Sequence, residues 1–414
     1  MRVLHLITGL GVGGAEQQLR LLLPRLDADC EVATLTRPGP VADGLRADGF
    51  RVHHLGMAGN RDLGVLPRLV RLIRSGRYDL VHTHLYRACL YGRIAARLAG
   101  VRAIVATEHS LGEHLIEGRR LTPAVRALYL AGERLGSTTV AVSTTVADRL
   151  NDWGVPEHRL HLVPNGVDPA AFRYEEAART AARARLGLPG GAYLLGGVGR
   201  LVPGKRFDAL VEAVSALPPE HHLVLVGGGP EEDRLRALAH RLGCERRVHL
   251  AGERDAAGLR ELLCAMDVFV SPSGEEAFGL AVVEALAAGL PALYARCPAV
   301  EDLPPAAAPG AHQVGNSPAA LADALRWGRA SGYGHGLPDQ ARFPVPEAVR
   351  HYGIDRSAAL LTGVYRRTLA RTGQDRNGTT NRPGPRTPHT PPTLRTPPTP
   401  PTPRTPSTLG AKTS

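Results

Sequence analysis

Short apolar runs alternate with amphipathic stretches along the first 370 residues, and this alternation restricts the fold more than any other feature. Strands separated by helices form parallel sheets that are covered on both faces. The runs fall into two series, so the sequence predicts an α/β protein of two tandem doubly wound, Rossmann-like domains that face a cleft. The predicted strands are 3–7, 30–36, 51–55, 79–84, 103–109, 138–143 and 160–165, then 193–201, 222–230, 247–252, 268–273 and 291–295.

Changes in composition predict the domain limits. A polar connector begins after VPNGVD, so we expect an N-terminal domain at 1–168 and a C-terminal domain at 169–344. Residues 345–372 have the apolar spacing of a terminal amphipathic helix. Residues 373–414 repeat Thr and Pro, and a segment with so few apolar side chains cannot offset the entropy lost on ordering. We therefore expect a disordered tail there.

The net charge of +11 does not by itself indicate a nucleic-acid or membrane partner. Nearly half of it lies in residues 373–414, which hold five Arg and one Lys against one Asp. Nucleic-acid binding needs clustered cations with stacking aromatic residues, and only 4% of the chain is aromatic, so no nucleic-acid partner is predicted. No run approaches the roughly 20 apolar residues of a membrane span. Five scattered cysteines without a C-x-x-C pattern, and no signal peptide, favour a cytoplasmic location.

The stretch GLGVGG (9–14) follows the first strand and matches the dinucleotide fingerprint G-x-G-x-x-G. An NAD enzyme would also need an acidic residue about 20 positions further on, to hold the ribose hydroxyls. Arg37 follows the second strand instead, which disfavours NAD and leaves an NADP-dependent oxidoreductase as one alternative.

The stretch SPSGEEAFGLAVVEALAAGLP (271–291) places Glu276 and Glu284 eight residues apart, around a turn that opens a helix. Leu280 is predicted to begin that helix, and Gly289 to end it. Both carboxylates can then face one crevice, at the helix end where free N–H groups bind anions. In the structural alternative, Glu276 only caps the helix and Glu284 is solvated.

The stretch GVGRLVPGKRFD (197–208) brings Arg200 and Lys205 to the end of a strand. Two cations in this position suit a diphosphate, although ordinary surface cations give the same pattern. HLVLVGGGPEEDRL supplies a further strand, three glycines and a helix, which is weak evidence by itself.

Taken in order, these stretches resemble the GT-B-fold glycosyltransferases, specifically the retaining family 4. The resemblance covers roughly 1–370 and rests on GGAE, TEHS, AVST, VPNGVD, GRLVPGKR, LVGGGP, VHLAG and the pattern EAFGLAVVE followed by GLP. It implies a terminal helix that packs on the N-terminal domain. It also implies metal-independent, cofactor-free transfer of a sugar from a nucleoside-diphosphate sugar to a carbohydrate, lipid-linked or metabolite acceptor.

The resemblance implies a role for each matching residue. His109 and Glu276 would be catalytic, and His84 would contact the acceptor. The segment 248–252 would line the nucleobase. The residues that would bind the donor are Gly13, Gly14, Arg200, Lys205, Phe278, Gly279, Leu280 and Glu284.

The sequence departs from the family pattern at one place, which leaves the choice of donor sugar open. Cys297 and Pro298 stand where the family commonly has two glycines, while Glu301 keeps the acidic position. A nucleotide-sugar epimerase of GT-B architecture and a catalytically silent scaffold are two competing hypotheses for the function. Basic amphipathic stretches at 66–77 and 115–135 favour a peripheral membrane contact as a further hypothesis.

Overall fold

The computed structural model describes residues 1–59, 62–113, 115–116, 119–330 and 342–373. The predicted disordered tail, apart from Gly373, therefore lies outside the described residues. The strands are β1 (Arg2–Ile7), β2 (Asp29–Thr34), β3 (Val52–His54), β4 (Leu80–His84), β5 (Ala103–Glu108), β6 (Leu115–Ile116), β7 (Arg119–Arg120), β8 (Thr138–Ala141), β9 (Leu160–Leu162), β10 (Tyr193–Val198), β11 (His221–Val226), β12 (Val248–Gly252), β13 (Val268–Ser271), β14 (Ala292–Tyr294) and β15 (Ala311–Gln313).

Helices connect most of these strands. They are α1 (Gly14–Leu22), α2 (Gly39–Ala47), α3 (Val65–Gly76), α4 (Tyr86–Leu98), α5 (Pro123–Glu133), α6 (Thr144–Trp153), α7 (Glu176–Arg185), α8 (Phe207–Ser215), α9 (Glu232–Arg241), α10 (Ala256–Ala265), α11 (Leu280–Ala287), α12 (Pro298–Glu301), α13 (Pro318–Ala330), α14 (Glu347–His351) and α15 (Ile354–Thr372). None of the described helices is long and apolar enough to cross a membrane.

The strands form two parallel sheets, as the alternating pattern predicts. The N-terminal sheet has the order β3-β2-β1-β4-β5-β8-β9, and the C-terminal sheet has the order β12-β11-β10-β13-β14-β15. The order reverses direction beside β1 in the first sheet and beside β10 in the second. In such open sheets ligands bind at the carboxyl ends of the strands, near this reversal. The fold therefore predicts that a ligand contacts the loops after β1, β4, β10 and β13.

The long helix α15 packs on the N-terminal sheet. Leu361, Val364, Tyr365 and Leu369 are buried in the same apolar cluster as residues of β1 and α1. The chain approaches α15 closely at Gly166, where a Cβ atom would lie 2.5 Å from the Cα atom of Ile354. Only glycine fits between these two segments without a shift of backbone.

The structure differs from the sequence prediction at three places. The predicted helix 345–372 is two helices, because the carbonyl of Tyr352 and the N–H of Ile354 bond to Val167 instead of to a helical turn. The polar connector contains α7, whose Arg179 donates to carbonyls at the end of α10 and to Asp267. The short strands β6, β7 and β15 were not predicted, since their sequences LI, RR and AHQ contain no apolar run of strand length.

Candidate active site

An ion pair joins the loops that follow β10 and β13. The ammonium Nζ of Lys205 lies 2.5 Å from Oε1 of Glu276, and the two side chains are 30% and 14% exposed. Ser273 strengthens the same junction, since its hydroxyl donates to the carbonyl of Gly204 and to that of Glu275. The two stretches that the sequence marks as chemically important are therefore in direct contact.

Glycines after β11 let a third loop approach this junction. A Cβ atom at Gly227 would lie 2.0 Å from the carbonyl oxygen of Gly199, and one at Gly229 would lie 2.3 Å from that of Leu201. Both glycines also have positive φ angles. The close approach of backbone explains why the LVGGGP stretch has glycines at these positions. They pack the loop against the backbone on either side of Arg200, which is itself exposed.

Helix α11 begins at Leu280, as predicted, and carries Glu284 in its second turn. Gly279 precedes the helix with a φ of 90°, a conformation that favours glycine. Part of the Glu284 side chain reaches solvent, yet burial raises the pKa of its carboxyl group to about 8. A carboxyl group with so strongly raised a pKa is typical of functional sites.

Cys297, the departure from the family pattern, packs against the start of α11. Its sulfur lies 2.4 Å from the place that a Cβ atom of Gly279 would take, and it contacts the carbonyls of Phe278 and Gly279. Glu301 accepts a hydrogen bond from the Cys297 N–H at 2.8 Å and pairs with Arg296. The loop is therefore held by its own side chains rather than by paired glycines.

The glycines of the N-terminal half face this site from the other side. A Cβ atom at Gly14 would lie 4.0 Å from Cδ2 of Leu280, so α1 begins opposite the start of α11. The carboxylate of Glu16 lies over Gly13, where a Cβ atom would come within 2.4 Å of Oε2. Burial raises the pKa of Glu16, while the positive charge of Arg200 lowers it in part. Gly13, Gly14 and Arg200 thus border one cleft.

Two residues of the AVST stretch tie the halves together. The hydroxyl of Ser143 donates to the carbonyl of Ala277 at 2.6 Å, next to Glu276. The N–H and the hydroxyl of Thr144 both donate to Asp302. Because Ser143 also caps α6, one short segment fixes both that helix and the loop that carries Glu276.

His109 follows β5 and is half-buried. Its Nε2 lies 3.1 Å from Nδ1 of His84, whose other ring nitrogen lies 3.1 Å from Nδ1 of His5. Desolvation lowers the pKa of His109 to about 4, so its ring is neutral at physiological pH. His84 is 2% exposed and reaches the cleft through His109 in this structure.

The structure thus brings several of the residues singled out in the sequence together. Lys205, Glu276 and the start of α11 lie together, with Gly14 opposite. Phe278 lies beneath them, 3% exposed, with its ring edge-on to that of Tyr352. The sequence analysis assigned no role to Glu16 or to Ser143, although the GGAE stretch contains Glu16 and the AVST stretch contains Ser143.

The arrangement can bind an anionic group and stabilise negative charge that develops on it when it leaves. Lys205, Arg200 and the beginning of a helix offer positive charge and N–H groups where negative charge would develop. Lys205 is 30% exposed, so water can replace Glu276 as its partner at a cost below that of breaking a fully buried ion pair. Lys205 can therefore exchange Glu276 for a phosphate oxygen at small cost, which frees the carboxylate to accept from hydroxyl groups.

Comparisons with known proteins identify the family and the fold of this chain. Residues 12–171 match Glycosyltransferase Family 4, and residues 178–328 match Glycosyl transferases group 1. A D-inositol 3-phosphate glycosyltransferase of Xylanimonas cellulosilytica is 31% identical over 72% of this chain and 74% of its own. One from Acidothermus cellulolyticus is 34% identical over 71% and 68%. The structure of Anabaena Alr3699/HepE in complex with UDP-glucose superposes with a TM-score of 0.72 at 22% identity, over 90% of this chain and 99% of that one.

The raised pKa of Glu284 predicts a pH dependence of stability. In the folded chain the carboxyl group keeps its proton up to about pH 8, whereas the unfolded chain releases it near the ordinary value of 4.5. Between these values the folded state binds more protons, so the free energy of unfolding falls as pH rises from 4.5 to 8. Glu284→Gln should remove this part of the fall, as measured by denaturant unfolding across that range. If the free energy of unfolding has the same pH slope in Glu284→Gln and in wild type, the prediction is contradicted. Glu245→Gln, at an exposed position, is the control and should keep the wild-type slope.

Proposed function

Because the chain belongs to glycosyltransferase family 4 and has the GT-B fold, we propose that it transfers a sugar from a nucleoside-diphosphate sugar, with retention and without a metal ion. The observation that carries the proposal is the Lys205–Glu276 ion pair, which joins the loop after β10 to the loop after β13. A diphosphate fits the two cations and the helix end, and a ribose fits Glu284.

The bound donor would rearrange the ion pair. Lys205 would turn to the diphosphate with Arg200, and the charge that develops as the sugar–oxygen bond breaks would be stabilised by both cations. Glu276, released from Lys205, would accept hydrogen bonds from the sugar hydroxyls. The leaving phosphate oxygen would take the acceptor proton, so the step would need neither a metal ion nor a separate protein base.

We propose a phosphorylated polyol as the first acceptor to test, since the relatives reported above are named D-inositol 3-phosphate glycosyltransferases. Carbohydrate and lipid-linked acceptors are the wider class. The acceptor would enter from the N-terminal half, past Gly14, which has no side chain and faces Leu280 at the start of α11.

Removal of the charged pair should abolish most of the transfer. Lys205→Ala and Glu276→Ala should each lower kcat on the order of 10²- to 10³-fold, because charge stabilisation in the transition state is lost. Glu275→Ala, at the neighbouring acid, is the matched control and should keep near wild-type activity. Sugar transfer to inositol 3-phosphate is measured with UDP-glucose and GDP-mannose, with and without EDTA, and the anomeric configuration of the product is determined by NMR.

The outcomes separate the competing functions. Undiminished transfer in both variants would refute the site. An inverted product would refute retention, and loss of activity in EDTA would refute metal independence. Thermal stabilisation by NADPH and by no nucleotide sugar would favour the oxidoreductase. Conversion of the nucleotide sugar without an acceptor would favour the epimerase.

We also propose a peripheral membrane contact through α3, in case the acceptor is lipid-linked. Val65, Leu69 and Ile73 are buried against the sheet, while Arg68 and Arg71 lie on the outer side. The outer cations would attract anionic headgroups. Sedimentation with anionic vesicles should weaken as salt rises and should fall in an Arg68→Ala, Arg71→Ala double variant. Sedimentation that is absent, or insensitive to salt, would contradict this contact.

A further inference from the structure

A column of histidines lies on the face of the N-terminal sheet that α15 covers. His5 belongs to β1, His82 and His84 belong to β4, and His109 follows β5. In the strand register His5 lies opposite His82, and His84 lies opposite Thr107. Side chains two residues apart on a strand share a face, so the fold brings all four rings to the same side.

Three of these rings form a continuous chain of contacts. Nδ1 of His5 lies 3.1 Å from Nε2 of His84, and Nδ1 of His84 lies 3.1 Å from Nε2 of His109. Both pairs of rings are stacked, with centroids 5.4 Å apart. The end atoms, Nε2 of His5 and Nδ1 of His109, are buried without a hydrogen-bond partner among the described residues. The column therefore has two defined ends.

His82 lies beside the column and holds it in place. Its Nδ1 lies 2.6 Å from the hydroxyl of Tyr365 on α15, and its Nε2 lies 2.7 Å from the hydroxyl of Thr107. Its ring centroid is 4.1 Å from that of His84. Both ring nitrogens of His82 are thus occupied, and the packing leaves His84 little freedom to turn.

Hydrogen bonding between neutral rings couples their tautomers. A neutral imidazole has one N–H donor and one acceptor nitrogen. If His84 carries its proton on Nδ1, it donates to His109 and must accept from Nδ1 of His5. If it carries the proton on Nε2, both bonds reverse. In either case His5, His84 and His109 have the same tautomer.

Burial keeps the rings neutral, as this coupling requires. Desolvation lowers the pKa of His5 to about 3 and that of His109 to about 4. The pKa of His84 lies well below its ordinary value for the same reason, with a smaller contribution from the neighbouring rings.

We propose that His5 and His84 are positioning residues that fix the tautomer and the ring orientation of His109 through this column. Which nitrogen of a histidine carries the proton decides whether it donates or accepts toward a substrate. Through the column, the tautomer of His5, at the opposite end from His109, is coupled to that of His109. The inference rests on the proposed function only for its effect on sugar transfer.

A metal ion is the competing use of these residues. Ring nitrogens of His5, His82 and His84 lie within 4.8 Å of one another. However, both nitrogens of His82 and both of His84 already have hydrogen-bond partners, so a metal ion would break several of these bonds. The contacts favour the hydrogen-bonded column.

The tautomers are measured directly by long-range ¹H–¹⁵N correlation spectra of the ligand-free, full-length chain labelled in histidine. Signals are assigned by single His→Gln substitutions. We expect His5, His84 and His109 to have one common tautomer at pH 7. Opposite tautomers at His84 and His109, a charged ring, or metal-shifted signals after addition of one equivalent of zinc would overturn the proposal. Because no substrate is present, the spectrum decides the coupling whether or not transfer is found.

A kinetic test separates positioning from simple structural support. His5→Leu should change the tautomer populations of both His84 and His109 and should lower kcat roughly 10- to 100-fold, the range found when a metal-bound histidine loses the partner that orients it. The KM for the donor should stay unchanged. His161→Leu, on β9 of the same sheet, should change none of these quantities. An unchanged kcat in His5→Leu, or an unchanged His109 signal, would overturn the positioning role.

Discussion

All the strands of the two large sheets run parallel to their neighbours, so the loops that follow them gather at one edge of each sheet. This constraint brings Lys205 and Glu276, 71 residues apart, into contact. It also brings His5, His84 and His109 to one face of the other sheet. The chemistry-bearing side chains therefore occupy places that the strand order dictates, and the loops need only be short and well packed.

Close approach of backbone maintains both parts of the cleft. Gly227 and Gly229 let the loop after β11 lie against the backbone around Arg200, while α1 begins opposite Leu280 at Gly14. Ser143 then links α6 to the loop that carries Glu276.

Much of this was accessible from the sequence, for definite physical reasons. Alternating apolar runs predicted the strands of both large sheets except β15, and the turn at Gly279 predicted the start of α11 and the helical position of Glu284. The proximity of Lys205 and Glu276 could be expected, because both follow the carboxyl ends of parallel strands. The direct ion pair between them could not be predicted from the sequence. The histidine column was missed because its members come from two strands and from the loop after a third, and no local pattern reports the register between these strands. The break at Gly353 was missed because it depends on a distant partner, Val167.

The most direct test of the account is a crystal structure of the chain soaked with UDP-glucose or GDP-mannose. The account predicts that the diphosphate contacts Lys205 and Arg200, with the ribose hydroxyls on Glu284 and the sugar beside Glu276 and His109. Density for the nucleotide along residues 9–14, in the manner of a dinucleotide enzyme, with Lys205 still paired to Glu276, would contradict it.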